Sequence, residues 1–408
     1  MEEGGSHRAA VLPLPDELVV EILSRLPAKS LCLCKCVSRA WRAFISDPDH
    51  RGRFAQTLSG LFFSRPSGHR PPWPRGFVGL PTSPPPGVDT ALSFLPPTCG
   101  DMDLLDSCNG LLLLRCQDTR ERPSPPPFYV VCNPATGEWV ALPQPRDTQG
   151  LYGSPDTCSA ALGFDPAVSA NFHVFQLVQE CYFYNDLFFV VAVEIYSSET
   201  GRWVFKENDD LWVHWDIHFF GQMTFFSGFL HFCNDFNAAV ISVDTQVQGW
   251  RISHVPHNVG ISFSMRQNAS YGRSSTISHS QGHLLYVYDN GWQDHDLSIY
   301  VLEDQDSEEW TWILKQSIDK PDLFGPRGAQ GGWDYCIAAF HPNANLVFFY
   351  DWKQKTLMVY DMEHKDVHVI CTLGEVVKIE LDLRCNVHRL FLPYVPLYTR
   401  ALTSPSVN

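Results

Sequence analysis

A turn followed by a short apolar strand recurs five times along this chain, and this repeat constrains the fold more than any other feature. The five turns end at residues spaced 54 to 63 apart: Gly110, Asn171, Gly228, Gly282 and Asn345. In four of the units a second strand follows and leads through another turn to a tryptophan: Trp139, Trp203, Trp250 and Trp310. A period of this length, with several strands per unit, is typical of an array whose units share their cores.

Four-stranded units arranged radially form a β-propeller, which leaves few free strand edges. Dividing the chain after residue 60 by a mean spacing of ~59 residues predicts about six blades. We expect the last blade to be closed by pairing of Leu61-Phe62-Phe63 with Leu390-Phe391-Leu392, across the two ends of the chain. A β-sandwich is the alternative architecture, but it explains the period less well. The predicted β domain covers 102–400, and the proline-rich stretch 59–101 is either a linker or an insert in the first blade.

Composition limits the classes of function. Hydrophobic residues make up 44% of the chain and charged residues 18%, which is enough apolar material for a large core. The net charge of -15 disfavours nucleic-acid binding and leaves a basic protein partner open. The N-terminus is polar, no apolar run is long enough to span a membrane, and the 13 cysteines form no CxxC pair. We therefore expect a protein of the cytoplasm or nucleus, with free thiols and neither cofactor nor membrane partner.

The first sixty residues have a different, helical pattern. Apolar residues at positions 18, 19, 22, 23 and 26 predict a helix that starts near Asp16 and stops at Pro27. A second short helix is expected from Ser30, and a third that carries Val37, Trp41 and Ile45 on one face. We assign 13–58 to this unit and expect 1–12 and 401–408 to be disordered. Because so small a unit cannot bury all of its apolar surface, part of that surface is expected to bind another protein, unless it docks on the downstream domain.

The same residues carry a family resemblance. The run Leu14-Pro15-Asp16-Glu17-Leu18 to Arg25-Leu26-Pro27-Ala28-Lys29-Ser30-Leu31, followed by Val37 and Trp41, resembles an F-box. This resemblance implies binding to the Skp-family adaptor of a cullin-RING ubiquitin ligase and, through the adaptor, to the cullin and RING subunits. The matching adaptor-binding residues are Leu14, Pro15, Leu18, Ile22, Leu23, Leu26, Pro27, Leu31, Val37 and Trp41.

The first repeat carries a second resemblance. Ser107 to Leu114, followed by Asn133-Pro134-Ala135-Thr136-Gly137-Glu138-Trp139 and Leu142-Pro143, is similar to the F-box-associated, kelch-like region of plant F-box proteins. Together the two resemblances imply a non-catalytic, substrate-recognition subunit of an SCF-type ubiquitin ligase, whose β domain binds a target protein. Later repeats keep the strand pattern without these letters.

The glycine-rich stretch 321–333 is the candidate target-binding loop. It contains Phe324, Arg327 and Trp333, and aromatic and arginine side chains are common interface anchors. The alternative is that Phe324 and Trp333 fold inward and plug the adjoining blade.

Motifs for chemistry are weak. His214, Asp216 and His218 could share one side of a strand, but metal sites rarely take all three ligands from one strand, so we expect no metal. The chain has no G-x-S-x-G, P-loop or kinase signature, and we expect no catalytic residue. The alternative function, suggested by the many aromatic residues, is a propeller enzyme or a glycan-binding, lectin-like protein with an F-box.

Overall fold

The computed structural model describes most of the repeat region and much of the N-terminal unit. The described residues are 14–26, 30–31, 34, 37–46, 50, 58–64, 75–80, 88–118, 120, 125–146, 159–166, 168–182, 187–207, 222–234, 239–245, 249–256, 274–289, 296–304, 307, 310–325, 334–373, 391–398 and 402. The chain divides into two compact units, Met1–Gln56 and Thr57–Asn408.

The first unit is helical. Helix α1 covers Asp16–Ser24, helix α2 covers Arg39–Ser46, and residues 30, 31 and 34 between them are also helical. Pro15 precedes α1, and its carbonyl accepts hydrogen bonds from the backbone N–H groups of Leu18 and Val19 at 3.0 and 3.1 Å. The small core of this unit contains five buried residues: Val19, Val20, Leu23, Leu31 and Ile45.

The prediction that Val37 lies on the same helix face as Trp41 and Ile45 is wrong. Val37 lies in a turn before α2 and is 65% exposed. The helix begins after Ser38, because the Ser38 hydroxyl accepts a hydrogen bond from the backbone N–H of Trp41 at 3.1 Å and so caps the first turn.

The second unit is a six-bladed β-propeller, as predicted, and not a β-sandwich. The first two strands are β1 (Gly60–Ser64) and β2 (Arg75–Gly79), and the last is β23 (Phe391–Tyr394). Blades 1 and 2 contain β3 (Asp101–Cys108), β4 (Leu111–Gln117), β5 (Phe128–Asn133) and β6 (Glu138–Ala141), then β7 (Ser159–Phe164), β8 (Phe172–Tyr182), β9 (Leu187–Ser197) and β10 (Arg202–Glu207). Blade 3 contains β11 (Met223–Phe226), β12 (Phe229–Asn234), β13 (Ala239–Asp244) and β14 (Trp250–His254). Blades 4 and 5 contain β15 (Ser274–Ser280), β16 (His283–Asp289), β17 (Asp296–Leu302) and β18 (Trp312–Asp319), then β19 (Tyr335–Phe340), β20 (Leu346–Asp351), β21 (Thr356–Asp361) and β22 (Asp366–Thr372).

Each blade is an antiparallel sheet, and in blades 1 to 5 the strands follow one another in chain order. The first strands of neighbouring blades contact each other, so β3, β7, β11, β15, β19 and β23 form the inner ring. A short helix, α3 (Lys320–Phe324), connects blade 4 to blade 5, and a single 3-10 turn, Pro97–Cys99, precedes β3. Apolar clusters lie between successive blades, which is how a propeller shares its core.

Blade 6 joins the two ends of the unit, and the predicted pairing across the ends is confirmed for Phe62, Phe63, Phe391 and Leu392, while Leu390 lies outside the described residues. Strand β1 lies between β2 and β23, with Phe62 opposite Leu392 and Phe63 opposite Phe391. The predicted boundary at residue 102 therefore starts the β domain too late, since β1 and β2 belong to blade 6. Part of the proline-rich stretch 59–101 therefore belongs to blade 6, although most of its prolines lie in 65–74 and 81–87, outside the described residues, and Pro96 and Pro97 lie just before β3.

Candidate functional site

The helical unit presents a row of apolar side chains to solvent. Leu18 and Ile22 lie one turn apart on α1 and are 50% and 48% exposed, and Leu14, just before the helix, is also exposed. Val19, Val20 and Leu23 lie on the opposite side and are buried. Exposing a row of large apolar side chains to water is energetically unfavourable. The row therefore indicates a surface that binds another protein.

The predicted adaptor-binding residues divide into two groups. Leu14, Pro15, Leu18, Ile22 and Val37 are exposed and available for contact. By contrast, Leu23 and Leu31 are buried in the core, and Leu26 and Trp41 pack against it while half-buried. Including Leu23 and Leu31 among surface contacts was therefore wrong, because the unit buries them to hold its helices together. Pro27 lies outside the described residues.

Charged groups surround the exposed row without entering it. Asp16 and Glu17 are exposed in the first turn of α1, where carboxylates suit the positive end of the helix dipole. Glu21 pairs with Arg25 at 2.7 Å on the following turns, and both side chains are substantially exposed. An exposed pair of this kind contributes little to stability. The surface is thus apolar with a charged border, which suits binding to a protein.

The predicted target-binding residues are not brought together. Phe324 is the last residue of α3, so the stretch predicted as a loop begins with a turn of helix. Its ring stacks on Tyr335 with centroids 4.4 Å apart and meets the edge of Phe349 at 6.0 Å. Phe324 therefore packs into the core between blades 4 and 5, as in the alternative interpretation, and its assignment as an exposed anchor was wrong. Arg327 and Trp333 lie outside the described residues.

A buried polar cluster beside Phe324 was not predicted. The Lys320 ammonium contacts the Asp289 carboxylate at 2.6 Å, and both side chains are 2% exposed. The Tyr335 hydroxyl donates a hydrogen bond to the same carboxylate, and burial, reinforced by Asp289, raises the pKa of Tyr335 well above its usual range. Asp289 thus links the two residues that flank the 321–334 connection. No local spacing could have revealed this cluster, because its members lie in three separate elements.

Groups that could carry chemistry are sparse in the described part of the chain. Within it, no cluster of three or more His, Cys, Asp or Glu side chains is arranged to hold a metal ion. The weak candidate His214, Asp216 and His218 lies outside that part. Among the cysteines whose side chains the structure describes, Cys99, Cys108, Cys116, Cys132 and Cys233 are buried, as is common for thiols used in packing. No described helix has the length and apolar character needed to cross a membrane.

Comparison with known proteins identifies both units. A family described as "F-box protein At3g26010-like, beta-propeller" matches residues 78–386, and the F-box domain matches residues 11–51. The chain belongs to this family of F-box proteins.

Similar proteins come from Arabidopsis thaliana. Putative F-box protein At1g30930 is 24% identical over 86% of this chain and 88% of its own length, and F-box protein At5g07610 is 24% identical over 78% of this chain and 73% of its own. F-box protein DOR is 26% identical over 38% of this chain, and the matched region spans only 40% of DOR. Among solved structures, YCF48 from Cyanidioschyzon merolae aligns with a TM-score of 0.38 and 9% identity, over 68% of this chain and 74% of its own. That similarity is too low to support a comparison of function.

The family assignment agrees with the structure at the level of architecture. An F-box unit is followed by a propeller, and the exposed row on α1 lies within the residues matched to the F-box. The kelch-like character of the repeat stays a prediction.

Proposed function

We propose that this F-box protein is the substrate-recognition subunit of an SCF-type cullin-RING ubiquitin ligase. The F-box unit binds a Skp-family adaptor, which connects the chain to the cullin and RING subunits, and the propeller binds a target protein. The chain contributes no catalytic residue. Its contribution is proximity, because a target held beside a ubiquitin-charged enzyme reacts as if the transfer were intramolecular. Such a complex would work in the cytoplasm or nucleus.

The exposure of Leu18 and Ile22 carries this proposal. Their side chains are half exposed, while Val20 and Leu23 on the same helix are buried. Helix α1 therefore has a second apolar face that does not contribute to the core of its own unit. An apolar helix face that docks in a groove is a common way for helices to be recognised. The family match over residues 11–51 supports an adaptor as the partner.

The experiment introduces charge into this face. We expect Leu18→Asp combined with Ile22→Asp to weaken binding to purified Skp-family adaptor by roughly 100-fold or more, since each change would bury an unpaired carboxylate at the contact. Leu18→Met combined with Ile22→Met is the matched control, because it alters the same positions and keeps them apolar. Binding would be measured by calorimetry with the full chain.

Circular dichroism and thermal melting separate loss of binding from loss of folding. The Asp variant should keep the melting transition of the propeller, since residues 1–56 and 57–408 are separate units. If the Asp variant binds the adaptor as tightly as the Met control, the assignment of this surface is wrong.

A further inference from the structure

Two cysteines meet at the junction between blade 6 and blade 1. Cys99 ends the 3-10 turn that precedes β3, and Cys116 lies near the end of β4. The 3-10 turn contacts β4, and both cysteines are buried in the same apolar cluster, Cys99 with 1% and Cys116 with 0% of its surface exposed. Within this cluster the Cys116 thiol donates a hydrogen bond to the Cys99 sulfur. The two sulfur atoms are therefore in contact.

The surroundings make Cys99 the more reactive member of the pair. The hydrogen bond from Cys116 lowers the pKa of the Cys99 thiol, and this effect outweighs burial and the nearby Asp118 carboxylate, which both raise it. A lower pKa increases the fraction of thiolate, which is the nucleophilic form of cysteine. Cys99 also lies between half-buried Thr98 and exposed Gly100, so it is one residue removed from the surface. Cys99 is thus placed to react first with a small oxidant.

Other cysteines that share a cluster in the described part of the chain are arranged differently. Cys336 and Cys371 lie on β19 and β22, with β20 and β21 between them. Burial raises the pKa of Cys336 to about 12 and also raises that of Cys371, which disfavours the thiolate. Cys132 belongs to the same cluster as Cys116, but it pairs with Leu112 on β4. Four residues along a strand span about 14 Å, which is too far for a disulfide.

We infer that Cys99 and Cys116 form a redox-sensitive pair, which a hydroperoxide oxidises to a disulfide. The Cys99 thiolate attacks one oxygen of hydrogen peroxide and the O–O bond breaks, which leaves a sulfenic acid on Cys99 and releases hydroxide, which becomes water with the Cys99 thiol proton. The Cys116 sulfur then attacks the Cys99 sulfur, the S–O bond breaks, and the hydroxyl leaves as a second water with the Cys116 proton. In total, two thiols are oxidised to one disulfide and one peroxide is reduced to two waters.

The disulfide would tie the chain at the point where it passes from blade 6 to blade 1. Strands β1 and β2 precede Cys99, whereas Cys116 belongs to the second strand of blade 1, so the bond would enclose β3 of the inner ring. A cross-link of this kind stabilises a fold by restricting the unfolded chain. Oxidation is therefore expected to stabilise the closed ring, and disulfides in reducing compartments are usually transient and redox-sensing. This inference requires neither adaptor nor target, so it is independent of the proposed function.

Peptide mapping tests the pair in the full chain without any substitution. The reduced protein is treated with hydrogen peroxide, its remaining thiols are blocked with N-ethylmaleimide, and it is digested with trypsin. Trypsin cleaves after Arg115 and so separates Cys116 from Cys99, and a second cleavage before Asp101 separates Cys99 from Cys108. We expect two peptides joined through Cys99 and Cys116, which dithiothreitol separates.

Thermal melting followed by circular dichroism tests the effect on the propeller. We expect peroxide to raise the melting temperature by about 3–5 °C and dithiothreitol to reverse the shift. Cys99→Ala and Cys116→Ala should each abolish the shift. Cys132→Ala is the matched control, because it removes a buried thiol from the same cluster, and it should keep the shift. Adaptor binding through α1 is measured on the same samples and should be unchanged, so a failure here is distinct from a failure of the proposed function.

Three results would overturn the inference. The first is the absence of the Cys99–Cys116 disulfide after peroxide treatment, and the second is a disulfide that joins either cysteine to a different one. The third is a melting temperature that does not rise when the bond is present, or that rises equally in Cys99→Ala. Because the mapping uses the unsubstituted chain, it decides for or against the pair even if an Ala variant does not fold.

Discussion

Phe324 shows how one contact decides the role of a residue. Its ring stacks on Tyr335 and meets Phe349 edge-on. We therefore expect Phe324→Ala to lower the free energy of unfolding by about 2–3 kcal/mol, less than a fully buried phenylalanine would cost. Asp322→Ala, in the same short helix but exposed, is the control and should change stability little. Urea unfolding of the full chain measures both. If the Phe324→Ala protein is as stable as the Asp322→Ala control, Phe324 does not pack in the core between blades 4 and 5.

The limits of prediction are clearest at single residues. The spacing of Leu18, Ile22 and Leu23 is enough to predict a helix with apolar faces, and that helix is present. Which face is core depends on Leu31 and Ile45, which come from other segments of the unit. Likewise, the inward position of Phe324 depends on Tyr335, across the connection to the next blade. The residue pattern of one segment does not show which residues of other segments will pack against it.

At the scale of elements, the cost of adding a side chain in a tight turn depends both on the backbone conformation of the turn and on what packs against it. Gly110 and Gly282 occupy the same place in blades 1 and 4, with φ of 92° and 77°, a region in which a Cβ costs about 1 kcal/mol. They differ in surroundings. A Cβ on Gly110 would lie 2.7 Å from the Leu397 nitrogen and 2.8 Å from the Val395 oxygen, whereas no atom of the described residues lies within 4 Å of one on Gly282.

We therefore expect Gly110→Ala to destabilise the protein by about 1–3 kcal/mol more than Gly282→Ala does, because the chain after β23 packs over the first turn. Urea unfolding of the two variants supplies the comparison. Equal losses would show that residues 395–397 do not pack there in solution.

Strands were easier to predict than their positions in the blades. The five repeated turns lie directly before β4, β8, β12, β16 and β20, so the pattern located the second strand of blades 1 to 5. The first strands were missed, since Ser159–Phe164 and Ser274–Ser280 have small or polar residues where apolar alternation is expected. Those strands form the inner ring, where neighbouring blades lie close together and small side chains fit. Their composition follows from the closed ring, which no single segment reveals.

At the scale of the whole molecule, closure of the ring depends on β1. Leu61, Phe62 and Phe63 are buried, and β1 is hydrogen-bonded to both β2 and β23. Burying each of these side chains contributes about 1.5–3 kcal/mol, so together they contribute on the order of 6 kcal/mol, which is comparable with the stability of an entire domain. The Ser107 hydroxyl also donates to the Pro393 carbonyl at 2.8 Å, which ties blade 1 to blade 6.

We therefore expect a fragment covering residues 57–408 to fold alone, with a sheet-type far-UV circular dichroism spectrum and a cooperative melting transition. A fragment covering residues 102–408 should lack that transition or melt far lower, because β23 loses its partner and the sheet of blade 6 cannot form. Adding residues 57–101 as a separate peptide should restore part of the transition, since β1 can pair with β23 without a covalent connection to β3. Equal melting temperatures for the two fragments would mean that the ring is held by blades 1 to 5 alone, and that β1 covers a propeller which is already stable.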